Sequence, residues 1–279
     1  MSWKHLFSRA LDAAPGRLHF AAHSHHLWPD ASYAGQIAAW TDAAMLADRK
    51  WDRVMGPVWS EAQRHVAAEL ALPDPATIAF APNTHDFLVR IVSAIPAGKP
   101  RILATDGEFH AFRRQSLRWH QAGRIELVTV PAERLLETAQ RGGFDLIFAS
   151  QVLFNSGQPD ADIAALTALS RLEGPWVVID GYRGFMATPT DLSAAATRIF
   201  YLSGGYKYTM AGEGVCFLHA PPGFAPHPEV TGWDLSPCRG VERPVPCRRC
   251  PARLHPDQRA RDAFPGLQRR TRRRAAISA

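Results

Sequence analysis

Lysine is scarce in this chain: 4 of 279 residues, against 28 arginines. Cysteine is scarce too, with 4 in all, which fits a reducing compartment and argues against a disulfide framework. No apolar run approaches the roughly 20 residues that a membrane-spanning helix needs. The opening stretch, "MSWKHLFSRALDAAPGRLHF", is broken by charges and holds no signal-peptide apolar region, so a cytoplasmic location is expected. A basic surplus is also missing from most of the chain. Residues 234–279 hold 12 Arg and 4 acidic residues, while residues 1–233 hold 20 basic and 22 acidic ones, net −2. The net charge of +6 therefore belongs to the tail, and the main body carries no footprint for nucleic acid.

What is present is an alternation of strands and helices. Residues 32–72 read as helix, with Val58, Ala62, Val66 and Leu70 forming an apolar stripe at every fourth position. Seven short apolar runs then read as strands, at 77–82, 101–105, 124–130, 144–150, 175–180, 198–203 and 214–220. Helices are expected near 84–95, 109–122, 132–141 and 161–172. Apolar strands with helical crossovers indicate an α/β domain with a mostly parallel sheet. In such sheets ligands gather beyond the carboxyl ends of the strands. After Trp233 the pattern stops. The segment to Ala279 is rich in Pro and Arg, has no Lys and shows no sustained apolar period. A domain boundary is placed at 233, with 234–279 expected to be disordered or translated out of frame.

Four strand ends carry the chemistry. In "FAPNTHDF" (80–87), Asn83 and Thr84 stand where a strand gives way to a helix, a position that suits either a helix cap or a phosphate. In "TDGEFHAF" (105–112), Phe109 follows the next strand and offers a flat face, or else a core aromatic. Asp180 ends "WVVID", where a carboxylate needs a partner such as a cationic nitrogen. Lys207 stands in "YLSGGYKYTMAGEGVCFLHA" (201–220), between two tyrosines. An amine there can lose its proton and act as a nucleophile, which an arginine cannot do. An anion cradle, a flat partner, a carboxylate for a ring nitrogen and a lysine for an aldehyde together describe a pyridoxal 5'-phosphate (PLP) site.

"DGYRGF" followed by "SGGYKYTMAGEG" resembles the class V aminotransferase fold of pyridoxal enzymes, and in particular kynureninases. The similarity runs from roughly 20 to 233. It implies a fold-type-I PLP-dependent large domain with a mostly parallel seven-stranded sheet and an irregular C-terminal tail. It also implies that Asn83 and Thr84 bind phosphate, that Phe109 stacks on the ring, that Asp180 pairs with the pyridine nitrogen, and that Ser203 and Tyr206 add phosphate contacts. The resemblance further implies that Lys207 forms the Schiff base with the cofactor. Arg183, three residues after Asp180, stands in the sequence where relatives have a His or Gln near the cofactor's phenolic oxygen, so the resemblance implies that it contacts the cofactor. In "SQVLFNSG" (150–157), Gln151 stands in place of a His.

His23, Ser24 and His25, in "AAHSHHLWPD" (21–30), lie where relatives contact substrate, and no Cys or carboxylate at a usual spacing supports a metal there. The resemblance further implies an amino-acid substrate, either transamination or cleavage, and a homodimer. Two alternatives stay open. One is a truncated, degenerate relative that binds cofactor with little turnover. The other is zinc or nucleic-acid binding through Cys238, Cys247, Cys250, His255 and the arginines of the tail.

Overall fold

The computed structural model describes residues 2–159 and 161–231. The expectations for the tail after Trp233, zinc and nucleic acid included, lie outside the described residues. So does the placement of the boundary itself.

The helices are α1 (Ser8–Asp12), α2 (Asp30–Leu46), α3 (Lys50–Arg53), α4 (Trp59–Glu69), α5 (Thr84–Ser93), α6 (His110–Gln121), α7 (Leu135–Gln140) and α8 (Ile163–Leu169). The strands are β1 (Ile78–Ala81), β2 (Arg101–Thr105), β3 (Glu126–Val130), β4 (Leu146–Ser150), β5 (Trp176–Asp180), β6 (Ile199–Gly204) and β7 (Cys216–His219). They form one sheet in the order β1-β7-β6-β5-β4-β2-β3. β7 runs antiparallel to both of its neighbours, and the remaining pairs are parallel. This is the expected seven-stranded, mostly parallel sheet with flanking helices.

The strands read as apolar runs because both faces of the sheet are covered. Alternate residues of β4, β5 and β6 supply two cores. Ile147, Val177 and Tyr201 pack on one face with Leu70, Leu135 and Leu166 from the helical segments. Phe148, Val178 and Phe200 pack on the other with Phe87 and Ile91 of α5 and Phe112 of α6. Phe112 stacks on Phe148 with ring centroids 3.9 Å apart. Each such buried side chain contributes about 1.5–3 kcal/mol relative to exposure.

The expected single helix over 32–72 is broken. α2 and α3 are joined by a 3-10 turn at 47–49, and a π-helical turn, Val54–Val58, separates α3 from α4. Pro57 lies inside that turn. It has no N–H to donate and crowds the preceding carbonyl, so the regular ladder cannot pass through it. The stripe is only partly inward: Leu70 is fully buried, whereas Val58 is exposed. Among the described residues no helix is long and apolar enough to cross a membrane.

The chain runs from β2 out to the edge strand β3, then returns past β2 to β4. Where the winding reverses, the loops at the carboxyl ends diverge and leave a crevice. The ends of β2, β4 and β5 therefore frame a site.

Candidate functional site

Asp180, Lys207, Phe109, Arg183, Tyr206, Asn83 and Thr84 all line one cavity of about 390 Å³. Its size lies within the usual range for small-molecule pockets, roughly 300–1,000 Å³. Residues far apart in sequence meet there because each ends a strand, follows one in the next loop, or opens the helix beyond it.

Lys207 follows β6 in a tight loop. Its carbonyl accepts from the Met210 N–H at 3.0 Å, and Ala211 N–H donates to the Gly205 carbonyl at 2.8 Å. The side chain is buried, with its Nζ 4.8 Å from the centre of the Tyr182 ring and 5.9 Å from that of Phe109. Burial pushes the amine down to about 8; the Arg183 charge lowers it further and Asp180 opposes the shift. A fraction of this amine is therefore free near neutral pH, which is what a nucleophile needs.

Asp180 ends β5, and its Oδ1 accepts from the Tyr182 N–H at 2.9 Å. Burial raises its carboxyl to about 6, against the effect of that hydrogen bond and of Lys207 and Arg183. A carboxylate in this state gains from a cationic partner. Gly204 allows the wall to close: a Cβ there would lie 2.2 Å from the Tyr182 ring. Gly181 serves Tyr201 in the same way, at 2.0 Å.

Asn83 caps α5, its Oδ1 accepting from the Asp86 N–H at 2.9 Å. The cap reading thus holds for its side chain, while Thr84 and His85 bring the helix N-terminus to the cavity. Phe109 packs edge-on against Phe154 at 5.3 Å and stays partly exposed toward the cavity. Arg183 lies 4.6 Å from the Phe154 ring centre.

Two groups of expected residues sit elsewhere. Ser203 is fully buried and outside the cavity lining, and its hydroxyl donates to the Gly181 carbonyl at 3.2 Å. Strand alternation turns this side chain into the sheet, away from the cavity. His23 and Ser24 are exposed and do not line the cavity. His25 stacks on Tyr206 at 5.7 Å and lies 4.0 Å from Glu213, so it reaches the rim through its neighbours. Gln151 also faces away, accepting from the Tyr201 hydroxyl at 2.7 Å and donating to Thr190 at 2.8 Å. Cys216 is buried and lines the cavity, with Sγ 3.9 Å from the Tyr182 hydroxyl.

Sequence reasoning missed Ser150, Phe154, Tyr182 and Glu213 as cavity residues, and Glu108 behind them. Tyr182 and Ser150 carry a usable signal, since each lies at or just past the end of an apolar strand. Phe154 and Glu213 come from irregular loops and carry none.

No family model matches the chain. Over 222 residues it is 29% identical to isopenicillin N epimerase of Streptomyces clavuligerus, covering 74% of this chain and 52% of that protein. The chain thus spans about half the length of the curated relative it matches. Its fold is similar to that of a C-DES mutant solved with glycine covalently linked to the PLP cofactor, with TM-score 0.67 and 17% identity over 80% of this chain and 60% of that one. It is also similar to the cysteine desulfurase CsdA from Escherichia coli, with TM-score 0.57 and 22% identity over 71% of this chain and 53% of that one. These are other enzymes than the kynureninases that the Tyr-Lys-Tyr segment resembles. What this chain shares with the solved structures is the fold-type-I large domain.

Proposed function

We propose that the cavity holds PLP and that the protein acts on an amino acid through Lys207. The observation that carries this reading is the meeting of Lys207, Asp180, Phe109 and the N-terminus of α5 around one cavity. The donor set fits the group. A ten-residue helix opens on the cavity at Thr84 and suits a phosphate. Phe109 offers a ring face, Asp180 offers a buried carboxylate for a cationic nitrogen, and Lys207 offers an amine lowered to about 8. When bound, PLP supplies an aldehyde that condenses with amines and a protonated ring that withdraws electrons from an amino acid's α-carbon.

The remaining work falls to the chain's own side chains. Asp180 would hold the ring nitrogen charged, because a buried carboxylate gains from a cationic partner. Phe109 and Tyr182 flank Lys207 Nζ and keep water from it. With its amine free, Lys207 Nζ would take and return a proton near neutral pH. Arg183 keeps that amine from gaining a proton too readily, since two cations share the site.

The names of the similar proteins, an epimerase, C-DES and a desulfurase, support an amino-acid substrate. Desulfurase-type chemistry through the chain's own thiol is not favoured by Cys216, which is packed into β7 with its thiol pushed up by burial. Kynureninase-type cleavage and transamination use the same residues, and the site serves either. A homodimer is part of this reading.

The test is a visible spectrum of the protein with added PLP, beside Lys207→Ala. The wild type should develop an absorbance band shifted from that of free PLP, and the variant should not. Identical spectra for the two proteins would remove the proposal.

A further inference from the structure

Glu108 is a carboxyl group only 1% exposed, and the reading above gives it no task. It stands in the turn after β2, next to Phe109. Its Oε1 accepts from Thr105 Oγ1 at 2.7 Å and from the Ser150 N–H at 3.1 Å. Its Oε2 lies 2.5 Å from Ser150 Oγ. Ser150 ends β4, pairs in register with Asp180 on β5, and lines the cavity. The serine hydroxyl therefore stands between a hidden carboxyl and the cavity floor.

That hydroxyl has one proton to give. When Glu108 is neutral, its acid proton goes to Ser150 Oγ, and the serine proton is free for the cavity. When Glu108 is ionised, Ser150 donates to it and turns lone pairs outward. We propose that Glu108 is a positioning residue that acts through the Ser150 hydroxyl. In its ionised form it holds the serine proton, so that the Ser150 lone pairs face the cavity beside Asp180 and strengthen the site's hold on a cationic ring nitrogen. The proposal rests on the PLP reading of the cavity.

The change falls at a useful pH. Burial raises the Glu108 carboxyl to about 7, with Asp180 adding to the rise and the Ser150 and Thr105 hydrogen bonds opposing it. The charged and titratable groups around this corner are Asp106 and His110 on its own turn, Asp180 on β5, His85 on α5, Arg183 and Tyr182 after β5, Tyr206 and Lys207 after β6, and Glu213 and Cys216 at β7. Several of these titrate or interact, so the informative quantity is a ratio between two proteins at each pH.

The probe is pyridoxine 5'-phosphate, an alcohol that cannot bond covalently to Lys207. Its affinity is measured by fluorescence titration at pH 6 and pH 8 for the wild type and Glu108→Gln, with circular dichroism to check folding. Glutamine stays neutral and its amide can donate to Ser150 permanently, so it mimics the low-pH state. The two proteins should bind alike at pH 6, and the wild type should bind roughly threefold to tenfold more tightly at pH 8. A ratio that stays constant between the two pH values overturns the proposal. If Glu108→Gln does not fold, Ser150→Ala reads the same quantity, because it removes the hydroxyl that transmits the charge; a constant ratio there overturns the proposal equally. A wild type that binds neither this probe nor PLP at either pH overturns the PLP reading along with it.

Discussion

The carboxyl edge of the sheet and the segment N-terminal to it are built on opposite terms. At the sheet edge, polar groups are buried and each has a partner: Glu108 with Thr105 and Ser150, Asp180 with the Tyr182 N–H, Ser203 with the Gly181 carbonyl. In the N-terminal segment, α2 buries no residue, and Phe20, Trp40 and Met45 are more than two-thirds exposed. Its ties to the rest are few: His25 stacks on Tyr206, and the His26 N–H donates to the Tyr206 carbonyl at 3.2 Å. Strand register thus places the chemistry, while the segment before it touches the site only at the rim.

Three substitutions sharpen that contrast, from the largest effect to the smallest. Asp180→Asn keeps the shape of the side chain and removes its charge. It should weaken PLP binding by about tenfold to a hundredfold, the size of a lost charge-assisted hydrogen bond of about 1.5–3 kcal/mol. Equilibrium titration followed by absorbance checks this. Glu108→Gln should act less strongly, and only above neutral pH. It should also stabilise the cofactor-free protein there. A carboxyl whose folded pKa is raised gives stability that is present below its unfolded value and lost as pH rises through its folded one. For Glu108 that window runs from about 4.5 to about 7. A gain of roughly 5 °C in Tm is expected at pH 8 and none at pH 4, read by thermal melts. His25→Ala should matter least, with less than about a fivefold change in PLP affinity, because an exposed ring pair contributes about 0.5–1 kcal/mol. A loss as large as that of Asp180→Asn would erase the distinction between edge and rim.

The same contrast explains what could be read from the sequence. All seven strands fall within the expected spans or one residue beyond them, because strands covered on both faces leave unbroken apolar runs such as Leu146–Ser150 and Trp176–Asp180. Asp180 stood out because a charge at the end of such a run is costly without a use, and Lys207 because a lysine stands between two tyrosines in a chain that otherwise favours arginine. The break at Gly56 and Pro57 was legible, because proline cannot carry the helical ladder, whereas α2, which buries no residue, gave no apolar period to mark its end at Leu46. Glu108 was hidden for another reason. In "TDGEFHAF" it looks like a surface turn residue, and its burial depends on Ser150, 42 residues away. Ser203 was misplaced because a residue next to the site in sequence can point to the other side of the strand.

The central claim is that one amine of this chain is built to bond to an aldehyde. With only four lysines, the claim can be tested at every site: the protein is incubated with PLP, reduced with borohydride, digested and mapped by mass spectrometry. The account predicts one pyridoxyl group, at Lys207. Equal labelling of Lys4, Lys50 and Lys99, or a Lys207 left unlabelled, would contradict it.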